Sequence, residues 1–469
     1  IMSGNQNQLT VFLLLIVVAL TANCKEPKNP LFSIKADVCS HYNAADATIV
    51  KLTDQYYPPD HHMVRDSDNK YGAAWAEFLA FKYDISLHVF ERSVKGDAFE
   101  DFLATGRGGA SVYYPSCLEP YKKKKLMSIR DDIEDVYGKS VSTLSYGCGK
   151  TDYLEALPED MLGGRNSVYT LDAKKEDAIT WYGENLGYKN NLNFTENKEM
   201  LDRAAGGRYY LQVQQGNATA KEAARNVKKQ VLKTVQNNGF YTNFMHWNDE
   251  YKNSKDSLIK GITIIEPLFD AIRSGFTESS RNSGLDYNEA IEYLYGREAI
   301  DSLIVTYFDN NSLEIDIWKS AKRNRDYSRI DTPITISSDK RILNGAMNIE
   351  LTDRVPSAYI DKGELLLNVV LDFSKEHETI EVDLKGTDKI TPIENNLVLS
   401  LEGQTSVYAT NEAKFVLFRR KKDAKDYAVE VVEREQSFSE KYNLPNLEDG
   451  YDYFCGAIDK RRQSTLIEL

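Results

Sequence analysis

The hydrophobic period of this chain changes once, near residue 280, and no single repeating unit can accommodate both sides of that change. On the C-terminal side short runs succeed one another: SLIVTYF, SLEIDIW, TPITISS, AMNIELT, ELLLNVVLDF, ETIEVDL, NLVLSLEG, KFVLFRR and YAVEVVE. They are rich in β-branched and aromatic residues and are separated by Asn, Asp, Gly and Lys clusters. That pattern predicts antiparallel strands joined by turns and packed as a β-sandwich.

On the N-terminal side, from about Leu31 to Gly275, strand-like runs alternate with longer helical ones. LFSIKADV, DISLHVF, SVSTLSYG and FYTNFMHW read as strands. ADATIVKLTDQYY, YGAAWAEFLAFKY, KKLMSIRDDIEDVYG and NATAKEAARNVKKQVLKTVQNNG read as helices. Alternation of this kind predicts an α/β barrel or open α/β layer whose strand ends carry any site. RSGFTESSRNSG, Arg273 to Gly284, reads as the linker, which divides the chain into residues 25–280 and 281–469.

Residues 1–24 stand apart. LTVFLLLIVVALTANC is a continuous apolar run ending in small residues, a composition found nowhere later in the chain. It reads as a signal or lipoprotein segment, and LTANC is similar to a lipobox ending in Cys24. The expectation is an exported protein of the periplasm, outer membrane or cell surface, with membrane attachment through an N-terminal lipid or anchor. In that setting Cys39, Cys117, Cys148 and Cys455 could form disulfides, and four cysteines allow three pairings.

A formal charge of -13 argues against a nucleic acid partner, since phosphate binding draws on clustered Lys and Arg. The basic run YKKKK, Tyr121 to Lys125, reads as the solvated start of a helix. The aromatic content, 29 tyrosines and 4 tryptophans among them, is compatible with a carbohydrate partner, because sugar rings stack on aromatic faces.

Six histidines are few enough to weigh singly. His41 follows the first strand-like run, His88 closes DISLHVF and His246 closes FYTNFMHW, whereas His61, His62 and His377 fall in polar stretches. A carboxylate and imidazoles gathered at neighbouring strand ends could bind a divalent metal or act as base and acid.

The order IKADV, DISLHVF, IEDVYGKSVSTLSYGCG and NNGFYTNFMHW resembles the polysaccharide deacetylases with a NodB-type barrel, over roughly Leu31 to Gly275. The resemblance implies a distorted (β/α) barrel followed by the β-sandwich, and removal of acyl groups from a polysaccharide with a divalent metal such as zinc. It implies Asp37 and His246 as base and acid, and Asp37, His88 and His41 as metal ligands. Tyr146, Arg92 and Trp247 would lie along the substrate. Two departures stand out: one aspartate, Asp37, replaces the family's adjacent pair, and Arg92 stands where a second histidine follows the first. A non-catalytic carbohydrate-binding surface protein on a degenerate barrel is therefore the alternative. A glycoside hydrolase would need two acidic groups across a groove, and nothing in the spacing of Glu119 and Asp249 singles them out.

Overall fold

The computed structural model describes residues 30–35, 37–38, 47–49, 69–91, 103, 105–106, 108–114, 122–146, 158, 160–165, 204–207, 219–236, 240–243, 266–275, 286, 288–289, 292–293, 296, 299–308, 312–319, 327–337, 348–361, 364–392, 397–403, 405–422, 429–460 and 462–469.

The N-terminal part runs β1 (Pro30–Lys35), β2 (Asp37–Val38), β3 (Ala47–Ile49), α1 (Asn69–Tyr83), β4 (Ser86–Glu91), β5 (Gly108–Tyr114), α2 (Lys123–Tyr137), β6 (Thr143–Tyr146), β7 (Gly163–Arg165), β8 (Ala204–Gly207), α3 (Ala220–Gln236), β9 (Phe240–Asn243) and α4, a helix over 266–275. Strands β3 to β7 form one sheet in chain order, with every neighbouring pair parallel. Strands β8 and β9 form a second parallel pair, and β9 runs beside β3. Among the described residues no strand pairing closes this array into a barrel.

Local chemistry explains the helix limits. The Thr219 hydroxyl accepts the Glu222 N–H at 3.2 Å and the Glu222 carboxylate accepts the Thr219 N–H at 2.9 Å, a reciprocal cap on α3. Gly138 ends α2 in the left-handed region at φ 69°, its N–H donating to the Glu134 carbonyl at 2.8 Å. Leu126, Ile129 and Ile133 of α2 recur at helical spacing and are buried, as are Ala110 and Val112 of the neighbouring β5.

The remainder is β-rich. It contains β10 (Ile300–Phe308), β11 (Ser312–Lys319), β12 (Ile334–Ser337), β13 (Asn348–Ile349), β14 (Ser357–Asp361), β15 (Glu364–Val369), β16 (His377–Asp383), β17 (Asp388–Lys389) and β18 (Thr391–Pro392). After these come β19 (Leu399–Glu402), β20 (Ser406–Lys421), β21 (Glu430–Arg434), β22 (Ser439–Asn443), β23 (Tyr451–Asp459) and β24 (Ser464–Glu468). One sheet has the order β1-β10-β11-β16 and another β18-β14-β15-β12-β2, while β13 pairs with β17. A last sheet is built on the long strand β20, which pairs with β19, β21, β22 and β23, with β24 outside β23. Strand β16 alternates exposed and buried along its whole length, as one half-buried sheet face requires.

The division at residue 281 is not followed by the sheets. LFSIKADV does not open the parallel array: β1 lies antiparallel to β10 and β2 antiparallel to β12. An apolar strand pairs wherever an edge needs covering, and here β10 and β12 offer those edges. The first parallel strand comes instead from ADATIVKLTDQYY, expected as a helix, where the β-branched Thr48 and Ile49 lie in β3. The 281–469 segment also holds a further sheet, β19 to β24, which packs on α1.

That packing is apolar. Phe78 of α1 meets Phe418 of β20 and Phe454 of β23 edge to face, at centroid distances of 5.5 and 5.2 Å. Gly456 of β23 lies against Phe81, where an added Cβ would come within 3.0 Å of the ring. Polar groups fringe the seam: Arg434 grips the Glu77 carboxylate with two bonds of 3.1 and 2.7 Å, and the Ser464 N–H donates to Asp84 at 2.7 Å. The opposite side of the sheet holds its own core around Val407, Phe415, Leu417 and Cys455. Burial there pushes the Cys455 thiol up to about 12, so it stays protonated and inert.

Candidate functional site

The polar side chains that meet in the parallel sheet come from neighbouring strands in register. Side chains alternate along a strand, and β4 and β5 pair His88 with Gly109, so His88, Gly109 and Ser111 share one face. Thr143, the first residue of β6, continues that row beside Ser111. His88, Ser111 and Thr143 are all 0% exposed. Nε2 of His88 lies 2.8 Å from the Ser111 hydroxyl, which lies 2.5 Å from the Thr143 hydroxyl. Thr143 in turn donates to Oδ1 of Asn288 at 3.1 Å. Run from Nε2–H through Ser111 and Thr143 to Asn288, each hydroxyl accepts once and donates once.

The lid on this row is the segment from Asp286, whose residues 288, 289, 292, 293 and 296 are helical. Asp286 and Glu289 form a capping box: the Glu289 N–H donates to Asp286 Oδ1 at 3.0 Å, and the Asp286 N–H to Glu289 Oε2 at 3.2 Å. Asp286 Oδ1 also stands 3.4 Å from Nδ1 of His88, and Oδ2 accepts the Tyr137 hydroxyl. This approach depends on Gly109, because a Cβ there would lie 2.4 Å from the Asp286 carboxyl. Glu289 is paired with Lys139 at 2.5 Å and with Arg462. One turn on, Glu292 accepts the Ser142 hydroxyl at 2.7 Å, the Asn288 amide at 2.9 Å and the Thr332 hydroxyl at 2.7 Å.

Burial and charge sort these acids into two kinds. Burial alone would raise the Asp286 carboxyl, but the bond and charge of His88, with Lys139 and Tyr137, hold it below the usual aspartate range. Asp286 is therefore an anion. Burial, reinforced by the charge of Asp331, lifts Glu292 well above the usual glutamate range, against the pull of Ser142 and Thr332. Burial likewise raises Asp331. Burial and the neighbouring Asp286 carboxylate raise the Tyr137 phenol, which keeps it a neutral donor.

The arrangement superficially has the order of a Ser-His-Asp triad, yet its place in the fold and its burial speak for a clamp. Thr143 begins β6, His88 is the third of six residues in β4 and Ser111 the fourth of seven in β5, so the network runs from a strand start to mid-strand and stops short of the C-terminal ends of the parallel strands. α/β sheets gather their chemistry at those C-terminal ends. His88 stands three residues, about 10 Å of strand, short of the end of β4.

Of the other expected site residues, Asp37 and Tyr146 are described. Asp37 lies in β2, on a different sheet from β4, beside Ser337 of β12. Tyr146 is the last residue of β6 and the register partner of Tyr114, the last of β5. His41, Arg92, His246 and Trp247 lie outside the described residues, as does the apolar segment 1–24. Among the described residues no helix is long and apolar enough to cross a membrane, and no group of three or more His, Cys, Asp or Glu is placed to hold a metal ion. Within the buried network Nε2 of His88 is taken up by the Ser111 hydroxyl, and Nδ1 stands 3.4 Å from Asp286.

Sequence reasoning missed Ser111, Asp286, Asn288 and Glu292. The signal was present: Asp286-Tyr-Asn-Glu289 has the capping-box spacing immediately after the polar run read as a linker.

No protein-family model matches the chain, and no curated protein does. A solved structure to which it is similar is the bacterial orthologue of human α-L-iduronidase, at 10% identity over 93% of this chain and 98% of that one, with a TM-score of 0.23. A likeness that low carries no argument about fold or activity.

Proposed function

We propose that this chain is an exported, polysaccharide-directed binding protein that has no metal-dependent deacetylase centre at His88. The observation that carries this reading is the state of His88, fully buried, with Nε2 taken up by Ser111 and Nδ1 facing Asp286 in the middle of its strand. A residue so placed holds strands and lid together and cannot present a nitrogen to a metal facing substrate. The carbohydrate part of the reading is supported by the aromatic content and by the order of segments that resembles the polysaccharide deacetylases. Export is supported by the apolar run before Cys24.

Titration calorimetry of the purified protein against acetylated and deacetylated polysaccharides, with an assay for released acetate, tests this. The expected result is saturable binding without acetate release, whether or not zinc is added. Zinc-dependent acetate release that disappears in a folded His88→Ala variant would overturn it.

A further inference from the structure

The outer face of the β1-β10-β11-β16 sheet carries an aromatic and acidic patch that the clamp at His88 does not explain. Along β11 the inward residues Leu313, Ile315 and Ile317 are 0% exposed, while Glu314, Asp316 and Trp318 alternate with them on the other face. Trp318 is 36% exposed, unusual for a tryptophan on a strand whose alternate residues form a closed core. Its register partner on β16, His377, stacks on one face of the indole, with ring centroids 4.5 Å apart and planes 24° apart. On the β10 side the register neighbour is Ser302, too short a side chain to cover the second face.

Polar groups fix the pair in place. Asp316, two residues before Trp318 on the same face, lies 3.4 Å from Nε2 of His377. Its Oδ1 accepts the Thr379 hydroxyl at 2.7 Å. One rung further, Glu314 and Glu381 stand opposite each other. The result is a partly exposed aromatic ring beside a positioned carboxylate.

We infer that Trp318, Asp316 and His377 form a binding site for a pyranose ring that bears an ammonium group, such as a de-N-acetylated amino sugar within a glycan. The C–H face of a pyranose stacks on an indole, and an ammonium is drawn both to the negative face of the ring and to the Asp316 carboxylate. The Asp316 carboxylate selects against uronic acids by charge. This assignment rests on the carbohydrate-binding reading above and names a site and a sugar class for it.

The test is calorimetric titration of the full chain with glucosamine hexamer, N-acetylglucosamine hexamer and a galacturonate hexamer. The glucosamine hexamer is expected to bind at least tenfold more tightly than the other two, with affinity falling as salt rises. Trp318→Ala should weaken it tenfold or more, Asp316→Asn severalfold, and Trp318→Phe only slightly, with the thermal unfolding transition of each variant unchanged. Parent-like affinity in Trp318→Ala would overturn this site while leaving the carbohydrate-binding reading intact. A preference for the galacturonate or N-acetylated hexamer would overturn the sugar class. Failure of the parent to bind any of the three or any other polysaccharide would overturn both.

Discussion

The N-terminal part of the chain is held to the rest in two places that use opposite chemistry. Within the parallel sheet the contact is polar: His88, Ser111 and Thr143 meet Asp286, Asn288 and Glu292 with every one of them buried. At the seam between α1 and the β20–β23 sheet it is apolar, with Phe78 and Phe81 set into Phe418, Phe454 and Gly456. Hydrophobic contact depends on area and volume and tolerates a change of shape, whereas a buried polar contact depends on each donor finding its acceptor. The polar contact should therefore be the more sensitive of the two to the loss of a single donor or acceptor and to pH.

The largest expected effect is from Asp286→Ala. It leaves Tyr137 without its acceptor, His88 without its anion and the lid without its cap, and should cost about 3–5 kcal/mol in urea unfolding. Asp286→Asn sharpens the comparison, since it keeps the shape but removes the negative charge facing His88 and Lys139 and reverses the bond to Tyr137, and should cost about 2–3 kcal/mol. Next is Gly109→Ala, where one methyl group would meet the Asp286 carboxyl and must force it from His88, at about 2 kcal/mol. At the seam, Phe78→Leu removes as many heavy atoms as Asp286→Ala but stays apolar, and about 1 kcal/mol is expected. A loss at Phe78→Leu equal to that at Asp286→Asn would break the distinction.

The smallest effect is the most specific. Glu292 has its carboxyl raised in the folded state, so its contribution is full below the ordinary glutamate range, declines as pH rises above it, and is gone above the raised folded value. Asp286 has the opposite sign: its contribution is present above the ordinary aspartate range and lost as pH falls below it. Glu292→Gln should therefore flatten the loss of stability between about pH 4.5 and 7 and gain about 1 kcal/mol at neutral pH. Chemical denaturation across that range checks it, and Phe78→Leu should leave the pH profile of the parent unchanged.

Sequence patterning reached the elements better than their partners. The helices α1, α2 and α3 overlap the segments whose apolar spacing had marked them, and β4, β6 and β9 overlap DISLHVF, SVSTLSYG and FYTNFMHW. Strand pairing is a long-range property, and nothing in LFSIKADV says that it will pair with β10 and β12. His88 could be seen as a histidine in an apolar strand, but its meaning rests on Asp286, which is remote in sequence and whose entry depends on the missing side chain of Gly109. Trp318 and His377 were likewise legible only as single residues until β11 and β16 set them side by side.

The claim that His88 is a clamp and not a ligand or catalyst is tested most directly by the glycan-binding isotherm of His88→Gln, measured where circular dichroism shows the variant folded. Stability should fall by about 2–4 kcal/mol, because the strand row and lid lose their shared partner. The dissociation constant for polysaccharide should stay within about twofold of the parent, or about 0.4 kcal/mol. A tenfold or greater weakening of binding with an unchanged unfolding transition would contradict the account and return His88 to the functional site.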